Sequence, residues 1–116
     1  MKKIISIALA LLMVAVMLPV MAMADDATLQ SKINAANAGD TITLDKDYTE
    51  DITIDKELTI DLNGNKLTNS AGDTITVNAN GNLTITGNGT VDNVTHGKAA
   101  LRIKENGKAT LNGGYF

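Results

Sequence analysis

The feature that most constrains this chain is that it overlays on itself. At an offset of 26 residues, Ile75 and Val77 fall on Leu101 and Ile103, Gly81 on Gly107, and Leu83-Thr84-Ile85 on Ala109-Thr110-Leu111. At 25, Thr59-Ile60 meets Thr84-Ile85, Asn63-Gly64 meets Asn88-Gly89, and Gly89-Thr90-Val91 meets Gly114-Tyr115-Phe116. Ile52 and Ile54 meet Ile75 and Val77 at 23, and Leu67 lies 24 residues before Val91. The unit is about 25 residues and carries three short segments that alternate apolar with polar, such as Leu58 to Leu62 and Thr74 to Val77. Alternation of this kind is the signature of a half-buried strand. Gly, Asn or Asp bounds each segment, and these residues tolerate tight turns.

A thin unit exposes an apolar stripe that it cannot bury alone, and stacking on the next unit buries it. A small barrel or a sandwich also uses short strands, but a hairpin protein would not hold one register over three units. The predicted fold is therefore all-β: a parallel β-helix of about three coils, each with three short strands. Its interior columns are expected to be Ile52/Ile75/Leu101, Ile60/Ile85/Leu111 and Ile42/Leu67/Val91/Phe116. The hexapeptide that begins Gly-Asp-Thr-Ile-Thr occurs at Gly39 and again at Gly72, an offset of 33 that no other pair repeats. It reads as one turn-into-strand device at two different corners, the first leading into the sheet of Leu67 and Val91, the second into that of Ile52 and Leu101. In both copies Ile is expected inward and Thr outward.

Ahead of the coils, residues 28–38 space Leu29, Ile33 and Ala36 as one apolar helix face. Gly39 occupies a C′ position, and Asp25 or Asp26 can cap the start. Residues 25–39 are thus expected to form an N-terminal capping helix, and residues 40–116 the coils.

Residues 1–24 read as a secretory signal peptide: Lys2 and Lys3, an apolar run from Ile4 to Val20, then Ala22-Met23-Ala24 as the cleavage site. A retained membrane anchor would need an apolar run of similar length. The small residues and the Asp pair that follows favour cleavage. With cysteine absent, neither a lipid-bearing thiol nor a disulfide framework is available. Loss of two lysines moves the formal charge from −3 to −5, so no basic patch for nucleic acid is expected. The layout points to a bacterial protein that is secreted or held at the cell surface. Only Tyr48, Tyr115 and Phe116 are aromatic, which suits stacked thin layers better than one rounded core.

The segment LQSKINAANAGDTITLDKDY resembles the opening of right-handed parallel β-helix proteins of the pectate-lyase-like superfamily. There an amphipathic helix caps the first coil and a Tyr closes a turn. The stretches DITIDKELTIDLNGNKLT and GNLTITGNGTVDN resemble repeats of secreted bacterial β-helix proteins. The resemblance spans the mature chain and implies a right-handed coil, as does the crossover rule. Family members run for many more coils, so it also implies a capped N-terminal portion whose open C-terminal end at Phe116 meets further coils of the same protein or another chain.

For chemistry, the resemblance raises the acidic-polysaccharide lyases, which use clustered Asp for calcium and a basic residue beside it. Asp51, Asp55 and Asp61 face outward in the first coils, but one coil on the matching positions are Thr74, Asn78 and Thr86, so no acidic column forms. Solvated faces and corners are the better reading. Arg102, with Lys104 near it and Thr76 beside it in the neighbouring coil, is placed to bind a uronate or sulfate, against the plainer role of balancing the acidic coils. His96 sits in a Gly/Asn/Thr loop without an orienting partner, as an exposed loop histidine does. The outward column Thr59/Thr84/Thr110 resembles the hydroxyl rows of ice-binding solenoids, but its partner column Asp61/Thr86/Asn112 breaks the pairing. Strand propensity accounts for it.

No catalytic set, metal site or cofactor is expected. Thr76, Thr84, Arg102, Lys104 and Thr110 are the candidate ligand residues, and the expected ligand is a polysaccharide or a cell-surface glycan. The leading expectation is a non-catalytic, carbohydrate-associated or adhesin-like module. The alternatives are the N-terminal part of a polysaccharide lyase or glycoside hydrolase, and an ice- or surface-binding solenoid.

Overall fold

The computed structural model describes residues 27–116; the expected leader and the expected capping residues Asp25 and Asp26 lie outside the described residues. Among the described residues one helix, α1 (Leu29–Ala35), is followed by ten strands. They are β1 (Thr41–Thr43), β2 (Tyr48–Thr49), β3 (Ile52–Ile54), β4 (Glu57–Asp61), β5 (Lys66–Thr68), β6 (Ile75–Val77), β7 (Asn82–Thr86), β8 (Thr90–Val91), β9 (Leu101–Ile103) and β10 (Lys108–Leu111). All pairings are parallel, in three sheets ordered β1-β4-β7-β10, β2-β5-β8 and β3-β6-β9. The chain visits the first, second and third sheet in rotation, so each strand pairs with the one three places later. This is the arrangement of an all-β parallel solenoid.

Two of the three expected columns hold. Ile52 pairs with Ile75 and Ile75 with Leu101; Ile60 pairs with Ile85 and Ile85 with Leu111. Ile42 belongs elsewhere: it pairs with Ile60 and so heads the second column, while Tyr48 stands before Leu67 and Val91 in the third. The cause is a short first coil. Thr41 to Thr59 is a step of 18 and Tyr48 to Leu67 one of 19, whereas later steps run from 23 to 26. A 25-residue rule therefore carries Ile42 onto Leu67, one sheet too far. The first Gly-Asp-Thr-Ile-Thr copy accordingly leads into the sheet of Ile60. The two copies still serve different sheets.

The coil lengthens mainly at one corner. Between the second and third sheets the connection grows from two residues after Thr49, to six after Thr68, to nine after Val91. Thr74, at the end of the second of these connections, is fully buried, not outward as the alternation predicts. Its hydroxyl donates to the Asp92 carbonyl at 2.6 Å.

The core is a stack of aliphatic layers, Leu58 on Leu83 and Ile60 on Ile85, all buried. Each fully buried Leu or Ile is worth about 1.5–3 kcal/mol in transfer free energy. At the N-terminal end α1 closes the stack with Leu29 and Ile33, both buried. Its cap is Thr28, whose hydroxyl accepts the Ser31 N–H at 3.1 Å. The helix stops at Ala35 because Ala36 is extended, so Gly39 is not its C′ residue; the Gly39 N–H instead donates to the Glu57 carbonyl.

Coil residues satisfy both helix ends. The Glu50 carboxylate accepts the Leu29 and Gln30 N–H groups at 2.8 and 3.1 Å. The Lys56 ammonium donates to the Ile33 and Ala36 carbonyls at 2.9 and 2.7 Å. An anion at the N-terminus and a cation at the C-terminus both complement the helix dipole. The Gln30 side-chain amide accepts the Thr53 N–H at 2.7 Å and donates to the Thr53 carbonyl at 3.2 Å. One side chain thus stands in for a strand along the free edge of β3.

Candidate functional site

The outward side of the four-stranded sheet is the largest regular polar surface that the pairing builds. Alternation along β4 and β7 sends Leu58, Ile60, Leu83 and Ile85 inward and leaves every second side chain on the outer face. Pairing then stacks these into rows. One row is Thr41, Thr59, Thr84 and Thr110; the row on one side is Glu57, Asn82 and Lys108; that on the other begins Thr43, Asp61 and Thr86. Neighbouring strands lie about 4.8 Å apart, so the face is a lattice of hydroxyls, amides and charges with no aromatic side chain in these rows.

Of the five expected ligand residues, the structure brings together two pairs on different sheets. Thr84 and Thr110 are neighbours in the Thr row, which Thr41 extends beyond the expected column. Thr76 and Arg102 are neighbours on the outer side of the third sheet, after Thr53. Lys104 follows β9, with its N–H on the Val77 carbonyl, and is exposed. Arg102 is engaged: one guanidinium N–H donates to Asp73 at 3.2 Å, with the arginine side chain 63% and the aspartate 13% exposed. A pair this open contributes little to stability, about 0–1 kcal/mol.

The carboxylates of the first coils are mostly occupied by backbone. Asp51 accepts the Ser70 N–H at 2.7 Å and the Gly72 N–H at 2.8 Å, with Ala71 between them. Asp61 accepts the Asn63 N–H at 3.0 Å, Asp47 the Lys66 N–H at 2.8 Å, and Asp73 the Ala99 N–H at 2.8 Å. Asp47, Asp51 and Asp73 each hold a loop of the next coil. Among the described residues, no group of three His, Cys, Asp or Glu side chains is arranged to hold a metal.

Donation from Gly72 foremost, then from Ser70 and Ala71, holds the Asp51 carboxyl below the usual carboxylate range. A depressed pKa contributes stability above the unfolded value, lost as the pH falls through the folded one. Asp51→Asn is therefore expected to lower the unfolding midpoint at neutral pH, the difference from wild type closing below about pH 4. Thermal melts across pH check this; a difference that stays constant into acid would refute it.

Two features escaped the sequence reading. Asn69 and Asn93 stand 24 residues apart, in the register of Leu67 and Val91, and brace the widest corner. The Asn69 amide donates to the Gly72 carbonyl and the Thr95 hydroxyl and accepts the Val94 N–H; that of Asn93 donates to the Gly72 and Ala99 carbonyls and accepts the Thr95 N–H. His96 lies exposed in this braced loop. The other feature joins α1 to the first coil. The Lys32 ammonium donates to the Tyr48 hydroxyl at 2.8 Å, and that hydroxyl donates to Asp45 at 2.5 Å. Burial, then donation to Asp45, raises the tyrosine pKa; the tyrosine contact lowers that of Asp45 and raises that of Lys32. Both acidic and basic partners are thus fixed in charge, and the cluster acts as a clasp. Comparison with family models, with curated proteins and with solved structures returns no match.

Proposed function

We propose that the chain is a non-catalytic, secreted or cell-surface module, a right-handed parallel β-helix of the pectate-lyase-like type, whose four-stranded polar face holds an extended glycan. The observation that carries the reading is the Thr41/Thr59/Thr84/Thr110 row with its flanking amides and charges, a repeating set of donors and acceptors along one line. A polysaccharide is a repeating polar polymer, and hydroxyl rows match it by direct and water-bridged hydrogen bonds. Of the carboxylates that a lyase reading would use for calcium, Asp51 and Asp61 already serve backbone N–H groups, and together with Asp55 they form no group placed to hold a metal among the described residues. Arg102 and Lys104 supply a second, cationic patch suited to uronate or sulfate.

Affinity electrophoresis in gels that contain neutral or acidic polysaccharides tests this. The protein is expected to be retarded. Thr84→Val with Thr110→Val is expected to weaken binding about thirtyfold, as loss of two hydrogen bonds of ~1 kcal/mol each would. Arg102→Ala with Lys104→Ala is expected to remove only a preference for acidic chains. Free migration in every polysaccharide would overturn the glycan reading, and release of shortened chains would overturn the non-catalytic one.

A further inference from the structure

Asparagine recurs at the corners of the coils, and four Asn-Gly dipeptides fall into two stacked pairs. The register sets Asn63-Gly64 beside Asn88-Gly89 at the corner after the first sheet, and Asn80-Gly81 beside Asn106-Gly107 at the corner before it. A fifth, Asn112-Gly113, stacks on Thr86-Gly87 and has no such counterpart. Asparagine is among the thermolabile residues. A glycine after it leaves the next backbone nitrogen unshielded, because no Cβ stands beside it. That nitrogen can attack the asparagine side chain once its N–H is free of a hydrogen bond and the side chain is free to turn.

The four dipeptides differ in these two conditions. The Gly64 N–H donates to the Asn88 carbonyl at 2.7 Å, and the Asn63 side-chain amide donates to the Leu44 carbonyl at 3.1 Å. The Gly81 N–H donates to the Asn78 carbonyl at 2.8 Å and the Gly107 N–H to the Lys104 carbonyl at 2.9 Å, so each closes a β-turn. Gly89 is held by its other end. Its carbonyl accepts the Tyr115 N–H at 3.0 Å, while its own N–H meets no acceptor among the described residues. The Asn88 side chain is exposed and makes no hydrogen bond among the described residues.

From this we propose that Asn88 is a site of spontaneous deamidation, a modification that the glycine hydrogen bonds at Asn63, Asn80 and Asn106 suppress. The Gly89 nitrogen bonds to the Asn88 side-chain carbonyl carbon and gives its proton to solvent base. The carbon–nitrogen bond of the side-chain amide breaks, and ammonia leaves with a proton from water. Water then opens the cyclic imide at either carbonyl and leaves aspartate or isoaspartate. The net reaction consumes water and releases ammonia, with no change of oxidation state. Both products add a negative charge. The isoaspartyl product also lengthens the main chain by one carbon, at a corner where even a Cβ on Gly89 would overlap Leu62 and the Asn65 carbonyl. The stacked coils have no room for it, so this product loosens the contact between them.

Peptide mapping by mass spectrometry tests this, on the purified folded protein held at mildly alkaline pH in water enriched in heavy oxygen. The peptide that carries Asn88 is expected to lose ammonia and gain heavy oxygen about fivefold or more faster than those with Asn63, Asn80 or Asn106, each of which must first break a hydrogen bond. In denaturant the four rates are expected to converge. Asn88→Gln, at an exposed side chain without partners, is expected to fold and to lack the early product. An Asn88 rate no faster than the other three in the folded protein would overturn the proposal, and so would the same ranking in denaturant. The isoaspartyl form is separable by ion exchange and identified by an isoaspartyl methyltransferase. It is expected to unfold at a lower denaturant midpoint than Asn88→Asp, which carries the same charge on an unaltered main chain. Equal midpoints would overturn the loosening of the corner.

Discussion

Ile85→Ala is expected to cost about 2–5 kcal/mol, and Leu111→Ala, in the same column, about 1 kcal/mol. The two residues are stacked neighbours in one register, one coil apart. Ile85 is fully enclosed between Ile60 and Leu111, so its truncation loses transfer free energy and leaves a cavity that the rigid coils above and below cannot fill. Leu111 is 49% exposed, so truncation removes half-solvated atoms and leaves an open notch that water fills. Guanidinium unfolding at low protein concentration measures both: the midpoint should fall sharply for Ile85→Ala and slightly for Leu111→Ala, with little change in slope. Equal costs in dilute solution would mean that the last coil is covered within a single chain.

The column that pairs Ile85 with Leu111 was legible in the sequence because those coils differ in length by few residues and strand alternation survives. Ile60/Ile85/Leu111 and Ile52/Ile75/Leu101 emerge from self-overlay alone. Ile42 was misplaced because an overlay assumes a constant period, and the 18-residue first step breaks it. Nothing in the letters marks the first coil as short: the missing residues come from a corner of Glu50 and Asp51, where later coils spend six and nine. Thr74 was misread for a related reason. Alternation tells which side of a strand a residue takes, but Thr74 precedes its strand, at a corner where its hydroxyl has a buried carbonyl to reach.

The candidate site was legible only as residue types. The Thr row followed from register, and Thr41 joined it once the first step was known. That Arg102 is held by Asp73, 29 residues earlier, depends on the width of a corner loop that periodicity does not describe. The Asn69 and Asn93 brace carries a signal, a polar residue repeating at the coil offset just past an apolar one. It reads as an ordinary turn residue because Asn is common in turns for unrelated reasons. Capping is the same case in reverse: Glu50 and Lys56 look like surface charges in the sequence, and only the fold shows that they meet the two ends of α1.

The corner between the first and second sheets separates letters from geometry most sharply. Asn63-Gly64 and Asn88-Gly89 are the same dipeptide at the same coil offset, and both glycines have positive φ, 78° and 148°. Gly64→Ala is expected to cost about 1–2 kcal/mol, the strain of a left-handed L-residue. An added Cβ there meets nothing within 4 Å. Gly89→Ala is expected to cost about 3 kcal/mol or more, because strain is joined by overlap. Its Cβ would lie 2.7 Å from Leu62 Cβ and closer still to the Asn65 carbonyl oxygen. Neither atom can give way cheaply: Leu62 is fully buried, and the Asn65 carbonyl accepts the Thr90 N–H that links this corner to the coil before it. Unfolding midpoints of the two single variants decide the matter. Similar costs would show that backbone strain alone sets the price of this corner; a wide gap would show that the coils touch there, backbone to backbone, so that only the second glycine is required for close stacking.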